Sequence, residues 1–157
     1  MPKSLRSGRR TNAATSMLEA RGNLGTIMRS VDAVGASGLI LIGDCTDPYS
    51  VEAVRASMGA VFNIKIIACS ESAFLKFAAS WQGRIVGTTL SASIDYRKAD
   101  YKRPLILLMG NERCGLTDNL MKVCGQLIKL PMLGRSDSLN LAVATGIVLY
   151  ETMSRGD

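Results

Sequence analysis

The sequence predicts an α/β protein in which a parallel sheet is flanked by helices on both faces. Two observations carry this. Short apolar runs such as Leu39-Ile40-Leu41-Ile42 and Leu105-Ile106-Leu107-Leu108-Met109 recur along the chain, and segments of helical period separate them. Strands apolar on both faces belong to sheets buried on both sides, the setting of parallel strands joined by crossover helices. A third observation bounds the answer: 157 residues suit one such domain and leave little room for another.

Residues 1–17 read as a basic, flexible arm and 18–157 as the folded domain. Where an opening strand would be wanted, 13–18 offer only a weak one. A helical pattern covers 24–34, and 38–42 read as a buried strand ending in the turn-like Gly43-Asp44-Cys45-Thr46-Asp47-Pro48. A helix over 50–58, a strand over 64–68, a helix over 71–80 and a strand over 84–89 follow. The most apolar strand, 105–109, comes after Pro104. A short helix over 117–124 has Thr117 as its N-cap, 127–130 form a last strand, and a long helix over 139–153 starts after Ser138. In such sheets ligands sit beyond the carboxyl ends of the strands, which nominates the loops after Ile42, Thr89, Met109 and Leu130.

Composition narrows the chemistry. No apolar stretch is long enough to span a bilayer and the N-terminus lacks a secretory segment, so a soluble cytoplasmic protein is expected. Histidine is absent and Cys45, Cys69, Cys114 and Cys124 form no CxxC pair, so no metal site is expected and the cysteines read as reduced core residues. Without histidine, any proton transfer falls to carboxylate, Arg, Lys, Ser, Tyr, substrate phosphate or water. Of nineteen basic residues, Lys3, Arg6, Arg9 and Arg10 lie in the first ten, leaving fifteen against thirteen acidic ones. A basic arm on a balanced body suits a phosphate-rich partner; it equally suits a solubilising terminus. Trp81, three Phe and four Tyr are too few for base stacking to be the main grip, and Trp81 reads as packing. The GxGxxG, GxxxxGK[ST] and GxSxG signatures are all missing, which removes the usual dehydrogenase, NTPase and hydrolase readings.

Three segments remain. In Asn23-Leu24-Gly25-Thr26-Ile27-Met28-Arg29, Asn23 can cap a helix, Gly25 admits a close neighbour, and Arg29 lies further along the same helix; an Arg there is commonly a solvated residue. Gly110-Asn111-Glu112-Arg113-Cys114-Gly115-Leu116 follows the strongest strand, and two glycines bracketing a polar loop expose backbone groups that could hold a purine or a carboxylate. It could also be an ordinary turn with Glu112 capping the next helix. In the third, Leu130-Pro131-Met132-Leu133-Gly134 leads through Arg135-Ser136-Asp137 to Ser138-Leu139-Asn140 and an Ala-bearing helix. Ser138 reads as an N-cap that can also face substrate, and Asn140, polar between two leucines, favours a functional role.

Together these segments resemble the three motifs of the SpoU/TrmH-type branch of the SPOUT RNA methyltransferases. The likeness matches Asn23, Gly25 and Arg29 to the first motif, Gly110, Glu112, Gly115 and Leu116 to the second, and Pro131, Met132, Gly134, Ser138, Leu139, Asn140 and Ala142 to the third. Arg55-Ala56-Ser57-Met58-Gly59-Ala60 is similar to a further segment of the branch, and the whole likeness runs from about Asn23 to Glu151.

The resemblance implies that 18–157 form a methyltransferase catalytic domain with a deep C-terminal trefoil knot, against the general rule that chains do not knot. It implies transfer of a methyl group from S-adenosylmethionine to a ribose 2′-hydroxyl of tRNA or rRNA. Carried over by position, Thr88, Thr89, Met109, Gly110, Glu112, Gly115, Leu130, Met132, Ser138, Leu139 and Asn140 hold the cofactor. Arg29, Glu112, Ser138, Asn140 and Asn23 serve catalysis, and Arg9, Arg10, Arg29, Arg55 and Ser57 contact RNA. A homodimer is also implied, with the apolar final helix as a contributor; that helix would equally suit core packing. The chain departs from the family by carrying Ala20-Arg21 where Asp-Pro is usual. It also begins without the N-terminal RNA-binding domain of many relatives, so it reads as a short form or a catalytic fragment.

The family assigns proton abstraction to the arginine of its first motif. A neutral guanidinium at pH 7 costs on the order of 9 kcal/mol, so a gripping role on phosphate and on developing alkoxide is the better physical reading of Arg29. Rival readings are a non-catalytic RNA-binding protein on the same fold, a base-methylating relative, and an unrelated small-molecule enzyme. The intact set Arg29, Glu112, Ser138 and Asn140 argues against the first, the Ser-Leu-Asn segment against the second, and the missing phosphate fingerprints against the third.

Overall fold

The computed structural model describes residues 11–16, 21–111 and 114–155; Arg9, Arg10 and Glu112, singled out above, lie outside them. Seven strands form one parallel sheet in the order β3-β2-β1-β6-β4-β7-β5. They are β1 Thr11–Ser16, β2 Leu39–Ile42, β3 Ile66–Cys69, β4 Arg84–Thr88, β5 Ile94–Asp95, β6 Leu105–Met109 and β7 Gln126–Lys129. The helices are α1 Arg21–Ala33, α2 Val51–Ser57, α3 Glu71–Ala79, α4 Asp118–Lys122 and α5 Leu141–Ser154. Each connection between parallel strands must cross over, and the helical segments supply most of these crossovers.

Alternation along the central strands sorts the core into two layers. Leu39 and Leu41 of β2 and Leu105, Leu107 and Met109 of β6 face α1 and α5, meeting Leu24, Ile27, Met28, Leu141 and Val148. Ile40, Ile42, Ile106 and Leu108 face the other way, onto Phe74, Phe77, Leu116 and Leu120. All five residues of β6 are buried, as its continuous apolar run predicts. Trp81 packs on Phe77 with ring centroids 5.5 Å apart, in keeping with its reading as a packing residue.

The sequence reading needs correction at three places. Residues 11–16, assigned above to the arm and read from 13 onward only as a weak strand, form β1 at the middle of the sheet, paired to β2 at Ala14↔Ile40 and to β6 at Ala14↔Leu108. Thr-Asn-Ala-Ala-Thr-Ser lacks the bulky β-branched run that marks a strand, and pairing on both sides overrides weak propensity. Helix α1 starts at Arg21, so Asn23 sits in its first turn and does not cap it. Helix α5 starts at Leu141, and its N-cap is Asn140 rather than Ser138: the Asn140 side-chain oxygen accepts from the backbone N–H groups of Ala142 at 3.0 Å and Val143 at 3.3 Å. Thr117 does cap α4, accepting from the Leu120 N–H at 3.3 Å. The two-residue β5 and the 3₁₀ turns at 60–62 and 96–98 have no pattern long enough to be read.

Gly25 is where α1 and α2 touch. A Cβ there would lie 2.4 Å from the Ala56 Cβ and 2.6 Å from the Ala53 carbonyl oxygen. Gly25→Ala therefore forces the helices apart, and urea unfolding should show a loss of about 1–3 kcal/mol.

Candidate active site

A pocket of about 260 Å³ opens at the carboxyl ends of β4, β6 and β7. Three of the four nominated loops build it; the loop after Ile42 does not take part. Thr88, Thr89 and Leu90 come from the end of β4, and Ile128, Lys129, Leu130 and Met132 from β7 and its continuation. Met109, Gly110, Asn111, Cys114 and Gly115 come from β6 and the turn after it, while Ser138, Leu139, Leu141 and Ala144 close the pocket from the entry to α5.

The β6 turn is held shut by its own backbone. Asn111 N–H donates to the Gly115 carbonyl at 3.1 Å, and Gly115 N–H returns a bond to the Asn111 carbonyl at 2.9 Å. Gly115 has φ +67°, the left-handed region that favours glycine. Gly110 is buried beneath the turn: a Cβ on it would stand 2.5 Å from the Gly115 carbonyl carbon and 2.6 Å from the Leu116 nitrogen. Across the pocket the Thr89 N–H donates to the Ile128 carbonyl at 3.0 Å, and the Thr88 hydroxyl meets the Met109 sulfur at 3.7 Å. The resulting cavity has apolar walls and a rim of backbone polar groups, the usual composition of a small-molecule site.

Of the residues carried over to cofactor binding, Thr88, Thr89, Met109, Gly110, Gly115, Leu130, Met132, Ser138 and Leu139 line this pocket. Asn140 does not; it is exposed at the N-cap of α5, between the lining residues Leu139 and Leu141, and donates its side-chain N–H to the Asn23 side-chain oxygen at 2.8 Å. The residues missed from sequence were partly legible. Asn111 and Cys114 lie between nominated glycines, Ile128 and Lys129 precede a nominated loop, and Leu141 and Ala144 share a face of α5 by helical spacing. Leu90 carried no signal.

Arg29 is exposed on α1 and is not among the residues lining the pocket. Arg55 is exposed on α2. Ser57 corrects the sequence reading: it is fully buried, and its hydroxyl donates to the Val54 carbonyl at 2.8 Å, so the folded chain does not offer it to RNA. The core assignment of the cysteines also needs revision, since Cys114 is exposed at the pocket. Cys124 is different: burial pushes its thiol up to about 12, which keeps it protonated and inert near neutrality. Among the described residues no group of cysteine and carboxylate side chains could hold a metal ion, and no helix is long and apolar enough to cross a membrane.

A parallel α/β sheet with a small-ligand pocket at its strand ends, closed by the entry to a C-terminal helix, defines an α/β cofactor-binding domain. Comparison with known proteins makes this specific. The chain belongs to the SpoU rRNA Methylase family, which matches residues 12–150. It is 35% identical over 138 residues to a 23S rRNA (uridine(2479)-2′-O)-methyltransferase of Streptomyces viridochromogenes, covering 84% of this chain and 48% of that protein. It is 38% identical over 138 residues to a putative TrmH family tRNA/rRNA methyltransferase of Bacillus subtilis, covering 85% and 54%. Among solved structures, the AdoMet-bound rRNA methyltransferase of Sinorhizobium meliloti superposes with a TM-score of 0.93 at 46% identity, covering 98% of this chain and 60% of that one. The chain thus spans about half the length of the curated relatives it matches.

Proposed function

We propose that this chain is the catalytic domain of an RNA ribose 2′-O-methyltransferase, acting on tRNA or rRNA with S-adenosylmethionine as methyl donor. The observation that carries the reading is convergence: the second and third family motifs build one pocket, and Asn23 of the first is hydrogen-bonded to Asn140 of the third. The pocket suits that cofactor. Leu130, Leu139 and Leu141 offer apolar walls for a purine, and Gly110 and Cys114 bring backbone polar groups to the same pocket.

S-adenosylmethionine, when bound, supplies an electrophilic methyl group whose bond to sulfur breaks as the ribose 2′-oxygen bonds to its carbon. The protein's own part is alignment and electrostatics. Arg29 stays cationic, grips the phosphate beside the target ribose and stabilises the developing alkoxide, and the proton passes to phosphate or water. Ser138 lies on the pocket wall, where it orients the ribose, and Glu112 orients Arg29 or the turn that carries it. Arg55, with Arg9 and Arg10 near the N-terminus, adds contacts to the RNA backbone.

We also propose that the chain segment after β7 threads a loop to form a deep trefoil knot. The placement of β4 between β6 and β7, with α5 returning to pack on α1, supports that path. A homodimer completes the reading. Helix α5 buries Leu141, Thr145, Val148 and Leu149 against the core, yet its opposite face exposes Val143, Ile147 and Tyr150 at 51, 37 and 50%. A helix apolar on both faces calls for a second partner, and a self-complementary twofold contact is the common solution. Arg29 flanks this face, because its neighbour Ser30 lies against Gly146 of α5, so a twofold contact would bring Arg29 towards the partner's pocket. Tyr150→Glu combined with Ile147→Glu should convert a dimer to a monomer in analytical ultracentrifugation, with methylation lost alongside.

Calorimetric titration tests the cofactor assignment. Micromolar binding of S-adenosylmethionine and S-adenosylhomocysteine is expected, and failure of a folded protein to bind either would overturn it.

A further inference from the structure

Asn140 uses both ends of its side-chain amide. The oxygen accepts from the Ala142 and Val143 N–H groups at the start of α5, and the nitrogen donates to the Asn23 oxygen 2.8 Å away on α1. Ser, Thr or Asp could cap the helix equally well. The amide caps with its oxygen and uses a separate atom, its nitrogen, as donor to a second helix; an Asp carboxylate has no donor to offer there. The two helices are then joined at a particular place: the residues on either side of Asn140 are pocket wall, and Asn23 lies in the first turn of the helix that carries Arg29. Asn23 is 9% exposed while Asn140 is exposed, so the bond is shielded from competing water on its α1 side.

We propose that Asn23 and Asn140 form a positioning clamp that fixes α1, and with it Arg29, relative to the entry of α5, rather than touching the reacting atoms themselves. This rests on the methyltransferase reading above. The clamp works through geometry, since α1 is otherwise held mainly by apolar packing, which tolerates sliding better than a directed amide contact does. A small shift of α1 would displace Arg29 from its working position without emptying the pocket.

Charge swaps distinguish the clamp from two unrelated polar residues. In Asn23→Asp the carboxylate still accepts from the Asn140 nitrogen. In Asn140→Asp the carboxylate still caps α5, and the Asn23 amide can turn over to donate to it. In the double variant two carboxylates face each other while the cap remains. The expected result is non-additive: each single variant lowers kcat by about 10-fold, and the double variant loses more than about 1000-fold, well beyond the roughly 100-fold product of the two. The S-adenosylhomocysteine Kd should move far less than kcat, a split that general unfolding would not produce. Additive effects in a folded double variant, or an unchanged kcat, would overturn the clamp. The melting temperatures of the same four proteins, measured without ligand, give a second cycle. Coupling there with no methylation by the parent would leave the clamp standing and sink the functional reading instead.

Discussion

Gly110→Val should severely weaken S-adenosylhomocysteine binding while the sheet stays folded. The side chain that valine introduces would begin 2.5 Å from the Gly115 carbonyl carbon and 2.6 Å from the Leu116 nitrogen. Both are backbone atoms, so no side chain can swing aside. The turn above is fastened by the paired Asn111–Gly115 hydrogen bonds, and admitting a Cβ means breaking them. That turn is one wall of the pocket, and its backbone is the polar rim on which the cofactor reading depends. A loss of about 100-fold or more in Kd, roughly 3 kcal/mol, is expected by calorimetry. Strand β6 ends just before Gly110 and is anchored by five buried residues, so far-ultraviolet circular dichroism should hardly change. Gly125→Ala is the control: a Cβ there meets only the Ile85 carbonyl oxygen, at 3.8 Å, and binding should persist.

Arg29→Ala should produce the opposite division of effects. Arg29 lies outside the pocket lining, so cofactor affinity is expected to stay within about 2-fold of the parent. If it stabilises developing charge on the ribose oxygen, its removal lowers kcat by about 10²–10³-fold, the range for loss of one transition-state donor. Arg29→Lys refines the role. Lysine keeps the charge but not the two-pronged grip on phosphate, so most of the loss should remain. Near-full activity of the lysine variant in a single-turnover methylation assay would show that bidentate gripping is not what Arg29 supplies.

Much of this fold was legible because its strongest signals were local. Leu105–Met109 and Leu39–Ile42 are apolar at every position, and a strand that needs both faces buried has few other homes. Helix α3 lies within a residue of the span expected from sequence, and the structure shows Ser70 capping it and Phe74 and Phe77 on its buried face. What escaped was set by distant contacts. Strand β1 is central only because β2 and β6 bracket it, and nothing in Thr-Asn-Ala-Ala-Thr-Ser announces that. The same holds at the site. The glycines of the β6 turn and the Ser-Leu-Asn segment carry recognisable patterns, and they do line or border the pocket. The partnership of Asn23 with Asn140 spans 117 residues of chain, and local spacing has no means of revealing it. Ser57 shows the converse, since a motif position read as substrate-facing turns its hydroxyl back onto its own helix.

The most direct test of the account follows the methyl group itself. The purified protein is incubated with methyl-labelled S-adenosylmethionine and unmodified tRNA or rRNA, and the recovered RNA is hydrolysed in alkali. A 2′-O-methyl group blocks cleavage at its own ribose, so the account predicts label in alkali-resistant dinucleotides. Label released in mononucleotides would mean that a base is the acceptor. No transfer at all by a folded protein that binds the cofactor and is offered both RNAs would contradict the proposed activity.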